Sequence, residues 1–238
     1  MEMVLIIVEK SIDIAHEFSY MLLSFGIKSI LVANREEALN HIENHQEINL
    51  AIIDIDNKNV EGIQLIETLQ DNSSRDFRFI IHSAVPIEEL PEKINNQNII
   101  GYIPKPFDYK RVESSLKIIF SSINFPDIDK RKHIRIIPDK DDLLRLQCKF
   151  KGYSHLLCGR ILNLSLGGAA VELFKQSDTD FITEGTPVPV IEFSINCNLV
   201  SATGTVFIKK GKIIIIHFNA MERETRNILA KYILKRIS

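Results

Sequence analysis

The stretch NLAIIDI at residues 49–55 decides the fold of the first half of the chain. Its apolar core is too short for a buried helix and carries no alternating polar positions. It therefore reads as a strand covered on both faces, which is the requirement of a parallel sheet. Working outward, the same kind of run recurs at MVLIIV (3–8), KSILVA (28–33), FRFIIHS (77–83) and IIGYI (99–103). Helix-period stretches lie at 12–25, 35–45, 61–71, 87–95 and 109–121. Strand and helix alternate five times, so the spacing predicts a doubly wound (βα)5 unit with an open parallel sheet.

After Phe125-Pro126 the alternation stops. Short strand-like runs follow at 142–150, 155–162, 168–174, 187–195, 199–208 and 212–219, separated by Gly, Asn, Asp and Ser, with one helical stretch at 222–236. The pattern predicts a small antiparallel β-barrel or sandwich closed by a C-terminal helix, and we take the barrel. The fold class is thus α/β plus β. Domain bounds are 1–122 and 131–238, joined by a linker at 123–130 where Pro126 breaks the preceding helix.

Composition sits at the average of soluble globular chains: 238 residues, 45% hydrophobic and 25% charged. The net charge of −2 hides an asymmetry. Residues 1–122 hold 11 Lys+Arg against 19 Asp+Glu, a net of −8, whereas residues 123–238 hold 18 against 12, a net of +6. An acidic and a basic half point to two domains with different ligands, the second facing an anionic partner. No apolar run approaches the ~20 residues that span a bilayer. The opening MEMVLIIVEK lacks the basic region and cleavage site of a secretory signal, so a cytoplasmic location is expected. Cys148, Cys158 and Cys197 form no Cys-x-x-Cys pair, which argues against a zinc site or a disulfide framework. His133 is expected to face solvent.

In open α/β sheets, ligands sit at the carboxyl ends of the strands. Glu9 follows the first strand, Asp54 ends the third, Ser83 ends the fourth and Lys105 follows the fifth. A carboxylate, a hydroxyl and an ammonium would meet in one pocket. With Gly62 eight positions after Asp54, the pair Ser83-Ala84, Tyr102 and the run Lys105-Pro106-Phe107, residues 1–120 resemble the receiver domain of two-component response regulators. The resemblance implies that Asp54 accepts a phosphoryl group, that Ser83 and Lys105 bind its oxygens, and that Tyr102 changes rotamer to report the event. It also implies Mg2+ held by Glu9 and Asp54. Here the chain departs from the family, which carries two adjacent acidic residues where this sequence has Glu9-Lys10. An ammonium beside the ion opposes metal binding unless Lys10 points outward. Lys58, where the family often has Pro, is a milder departure. A degenerate receiver kept as a protein-interaction scaffold fits these residues as well as a phosphorylated one does. Asp54-x-Asp56 with Ser83 and Lys105 also matches haloacid-dehalogenase-type phosphatases superficially, but nothing after Lys105 supplies their later acidic pair.

In the basic half, Arg131-x-x-x-Arg135 stands at the entrance, and Asn163-x-Ser165-x-x-Gly168 is expected on a turn between strands. These residues have an ordinary reading: solvated arginines and a hairpin turn rich in Asn, Ser and Gly. In this order, with the strand count, Gly204-Thr205-Val206, the run 213–218 and the terminal helix, residues 130–238 resemble the PilZ domain, a family of cyclic di-GMP receptors. The resemblance assigns Arg131 and Arg135 to phosphate and guanine contacts and Asn163 and Ser165 to the other guanine face, with Gly168 allowing close approach. Guanidinium groups suit this ligand because they bind phosphate or the guanine O6/N7 edge bidentately and stack on its ring.

The expectation is therefore a signalling receptor without turnover chemistry. Cyclic di-GMP bound near the linker would change domain orientation and the binding of an as yet unknown protein partner. The alternatives are a phosphorylation-driven response regulator and a scaffold with little nucleotide binding. DNA binding is disfavoured, since Trp is absent and no aromatic-rich basic face or helix-turn-helix is present.

Overall fold

The computed structural model describes residues 4–72, 75–90, 98–122, 133–139, 142, 144–153, 155–174, 179 and 181–237. The chain divides into two compact units, Met1–Arg131 and Lys132–Ser238.

The first unit is built from β1 (Val4–Val8), α1 (Ile12–Leu23), β2 (Lys28–Val32), α2 (Arg35–Asn44), β3 (Leu50–Asp54), α3 (Gly62–Asn72), β4 (Arg78–Ser83), β5 (Ile99–Pro104) and α4 (Tyr109–Ser122). All its strands pair in parallel, in the order β2-β1-β3-β4-β5. Successive residues of each strand supply opposite faces, as the pleat demands. Ile6, Val8, Ala51, Ile53, Phe79 and Ile81 pack with α2 and α3, and Leu5, Ile7, Leu50, Ile52 and Ile80 pack with α1 and α4. Each fully buried Leu, Ile or Phe contributes roughly 1.5–3 kcal/mol, so these two layers hold the sheet between the helices. Local signals agree with the packing. Asn34 caps α2 by accepting from the Glu37 N–H, while Glu37 reaches back to the Ala33 N–H. Asp108 accepts from the Arg111 N–H at the start of α4. Where the helix expected at 87–95 would start, the chain makes a 3-10 turn at Ile87–Glu89, and 91–97 lie outside the described residues. Pro91 gives the reason, because the residue before a proline disfavours the α conformation.

The second unit is a closed antiparallel barrel of β6 (Arg145–Lys149), β7 (Leu157–Ser165), β8 (Gly168–Leu173), β9 (Pro187–Ile195), β10 (Asn198–Lys210) and β11 (Ile213–Met221), followed by α5 (Arg223–Ile237). The strand order is β10-β11-β8-β7-β6-β9. Leu146, Ile161, Val171, Val188, Ile191, Val200, Val206, Ile214 and Ile216 point inward and are buried. Asn196 and Cys197 adopt φ of 48° and 65° and turn β9 into β10 in two residues. The last turns of α5 are fixed by Arg236, which pairs with Asp142 and stacks over the Tyr232 ring. The linker 123–130 lies outside the described residues.

Candidate functional site

The strand order of the first unit reverses between β1 and β3, and the cleft at that switch point gathers the sequence-predicted residues. Its volume is about 700 Å3, and Glu9, Lys10, Asp54, His82 and Lys105 are among its walls. Gly62 opens α3 against the end of β3, where a Cβ would overlap the Asp54 carbonyl oxygen and lie 2.8 Å from Ile53 Cγ2. Lys105 Nζ donates to Asp54 Oδ1 at 2.6 Å and lies 3.2 Å from Asp56 Oδ2. Ser83 does not aim at Asp54. Its hydroxyl donates to Asp56 Oδ1 at 2.5 Å, and the Ala84 N–H donates to Asp56 Oδ2 at 2.7 Å. The Tyr102 hydroxyl reaches the carbonyl oxygens of Ser83 (2.9 Å) and Val85 (2.7 Å), and so bears on the same corner.

The charges hold one another. Burial pushes the Asp56 carboxyl up, but the Ser83 hydroxyl, the Ala84 N–H and the Lys105 ammonium outweigh it and leave Asp56 below its usual range. For Lys105, burial acts downward and the bonds to Asp54 and Asp56 act upward more strongly, so its ammonium is held above the ordinary value. Burial raises the Tyr102 phenol, and the charges of Asp56 and Glu88 add to this.

Two residues that sequence reasoning gave no role complete the polar cluster at the cleft. Asp56 was singled out only as part of an Asp-x-Asp pair, yet it is the acceptor on which Ser83, Ala84 and Lys105 converge. His82 is entirely buried, with Nδ1 3.1 Å from Glu9 Oε2 and Phe18 and Phe107 edge-on around its ring. The signal was present in FRFIIHS, where an imidazole follows directly on the buried run Phe79-Ile80-Ile81. Burial opposes the charge on Glu9, but the His82 bond and the Ser11 N–H at 2.9 Å prevail and lower its carboxyl below the usual value.

These donors do not suit Mg2+, which takes oxygen ligands, carboxylates and waters above all. Both oxygens of Glu9 are engaged within the protein, Asp54 Oδ1 is taken by Lys105 and by the Asp56 N–H at 3.0 Å, and the residue after Glu9 brings an ammonium. Lys10 is exposed yet borders the cleft. Among the described residues, no three His, Cys, Asp or Glu side chains gather at metal-binding distance.

Arg131, the last residue of the first unit, lies outside the described residues. Arg135 belongs to a segment joined to the end of β7. Ile136 and Leu164 exchange both backbone hydrogen bonds at 2.9 Å, an isolated antiparallel bridge. This register sets Arg135 across from Ser165 and Ile137 across from Asn163. The Asn163-to-Gly168 motif lies at a turn between strands, as expected, but the turn is tighter than its length suggests. Asn163 and Ser165 are the last rungs of β7, Gly168 is the first of β8, and only Leu166-Gly167 turn. Pairing with β8 carries β7 to Ser165, and Ile136 adds one bridge at Leu164. Ser165 is buried, accepting from the Gly167 N–H at 3.3 Å and donating to the Gly168 carbonyl at 3.2 Å, so its hydroxyl tightens the turn. A Cβ on Gly168 would overlap the Ile216 carbonyl oxygen, so β11 requires glycine there. His133 is half-buried, its ring packed where a Gly167 side chain would stand, and not solvated as expected. Arg135 is exposed, and neither its guanidinium nor the Asn163 amide has a hydrogen-bond partner among the described residues. No described helix is long and apolar enough to cross a membrane.

Comparison with known proteins gives the following. Residues 5–117 match the family model described as response regulator receiver domain. Among solved structures, the chain is similar to a CheY-like receiver domain from Methylobacillus flagellatus, with 21% identity over 50% of this chain and 99% of that one and a TM-score of 0.42. It is similar to a response regulator from Thermotoga maritima, with 22% identity over 51% and 100% and a TM-score of 0.43. It is also similar to the PilZ domain of CeSA from a cellulose synthesizing bacterium, with 16% identity over 44% and 99% and a TM-score of 0.35. No curated protein matches. From the family match over residues 5–117, the first unit of this chain is a response regulator receiver domain.

Proposed function

We propose that the chain is a signalling receptor whose second unit binds cyclic di-GMP, with Arg131 and Arg135 on phosphate and guanine and Asn163 and Ser165 on the other guanine face. The observation that carries this reading is the Ile136–Leu164 bridge. It joins two motifs 28 residues apart in sequence and stations opposite the Ser165 turn a guanidinium that has no partner among the described residues. Such a guanidinium suits the bidentate, charge-assisted bonds that phosphate and the guanine O6/N7 edge accept. The net charge of +6 in residues 123–238 favours an anionic ligand.

Because Arg131 follows the linker directly in sequence, a ligand gripping both arginines restrains the joining segment. That ordering costs roughly 1–2 kcal/mol per residue, offset by charge-assisted bonds of about 1.5–3 kcal/mol each. The restrained segment is the signal, read by a protein partner. In this scheme the receiver unit serves as an interaction module, since its acidic cluster is satisfied from within by Lys105 and His82. The test is calorimetric titration of the full chain with cyclic di-GMP, beside GTP and the Arg131→Ala/Arg135→Ala double variant. Saturable binding near micromolar, absent for GTP and lost in the variant, is expected. Absence of binding in the unaltered chain rejects the receptor reading in favour of a scaffold.

A further inference from the structure

Strand β10 breaks register with β11 between Val206 and Ile208, which makes Phe207 the extra residue of a β-bulge. Bulges re-aim side chains. Here the Phe207 ring lies flat against His217, with centroids 4.3 Å apart and planes within 14°. Both side chains are exposed, Phe207 to 51%. The barrel interior does not need them, because Val206 and Ile216 already fill the inward positions alongside. An aromatic stack is thus held on the solvent side of the barrel, where burial gives it little.

Its position is tied to the nucleotide motif. His217 pairs with Gly168, and the Phe218 N–H donates to the Gly167 carbonyl at 3.0 Å. The stack therefore stands on the strand next to the first residue of β8, about 5 Å away by the spacing of paired strands. Arg135 and the Asn163 edge lie on the other side of the same turn. A fused-ring base offers a flat face that stacks on aromatic side chains.

We propose that Phe207 and His217 form a stacking platform for one guanine of the ligand. This rests on the cyclic di-GMP reading above and adds a contact that neither motif supplies. The arginines hold phosphate and one base, while the platform on β10 and β11 holds the flat face of the other.

The experiment is titration calorimetry of the full chain with cyclic di-GMP, comparing the unaltered protein with Phe207→Ala, Phe207→Tyr and Leu199→Ala. Leu199 is an equally exposed apolar side chain on the same strand. The expected result is a loss of about tenfold or more in affinity for Phe207→Ala, with the other two within about twofold. In the saturated unaltered chain, a nuclear Overhauser contact is expected between guanine H8 and the Phe207 ring. Unchanged affinity in Phe207→Ala, or no such contact, overturns the platform and leaves the receptor reading standing. Failure of the unaltered chain to bind overturns both.

Discussion

His82 Nδ1 lies 3.1 Å from Glu9 Oε2, and the protein closes both side chains off from water. A buried carboxylate is costly unless a partner meets it. Glu9 meets its partner inside the fold, at the place where an acidic pair would otherwise await a cation.

The first prediction concerns that cation. Millimolar Mg2+ should leave the melting temperature of the chain unchanged, and Mn2+ should not broaden the resonances of residues lining the cleft. Lys10→Asp replaces an ammonium with an oxygen donor and should create a measurable response to both ions. A Mg2+ response in the unaltered chain that vanishes in Asp54→Asn would refute this.

The second concerns pH. Asp56 and Glu9 are both held below their ordinary values of 3.8 and 4.5. The stability they contribute is therefore present above those values and is lost as pH falls through the lowered ones. Lys105 is held above 10.5, so its contribution is present below that and is lost as pH rises through the raised value. Melting of the receiver unit should be flat between about pH 5 and 10 and fall on either side. Asp56→Asn should flatten the acid limb in a series of thermal melts. A limb unaltered by the substitution would assign acid sensitivity elsewhere.

The third concerns thiols. Burial pushes the Cys148 thiol up to about 12, with the nearby Cys158 adding to the effect, whereas Cys158 and Cys197 are exposed. A thiol that neither ionises nor meets solvent does not react. Two of the three cysteines should be labelled by iodoacetamide in the native chain, and the third only after denaturation, as counted by intact mass.

The fourth concerns Gly168. Its absent side chain leaves room for the Ile216 carbonyl oxygen, so Gly168→Ala should force β8 and β11 apart. The expected cost is roughly 1–3 kcal/mol in urea unfolding, with cyclic di-GMP binding weakened in parallel. Full stability in that variant would mean the strands part without penalty.

The inner strands β1, β3 and β4 were legible because they are buried on both faces, and the half-buried edge strands β2 and β5 because they keep the alternation with helices. The six barrel strands were legible because turn residues punctuate them. At 87–89 the helical spacing meets a 3-10 turn instead, just before Pro91. Within the cleft, Asp54, Ser83 and Lys105 could be placed from their positions at strand ends. The bond from Ser83 to Asp56 could not, since a hydroxyl at a strand end faces two carboxylates two residues apart and sequence does not say which it takes. Likewise, Asn163-to-Gly168 read as the turn itself because Asn, Ser and Gly are turn residues, whereas β7 runs on to Ser165 through its pairing with β8. Its bridge partner Ile136 lies beyond the reach of local pattern.

That partner has an energetic consequence. Among the described residues, the entrance segment holds to the barrel wall through two backbone hydrogen bonds and the buried Ile136, together about 2.5–6 kcal/mol, with the His133 ring packed over Gly167 beside them. This is far less than the cohesion of the six-stranded wall itself. The segment is thus a latch with its own opening equilibrium, able to release while the barrel stays folded, and small enough for a micromolar ligand to tip. Amide exchange at Ile136 and Leu164 should then run faster than in β8 and slow on ligand binding, making this one bridge the most sensitive gauge of occupancy in the molecule.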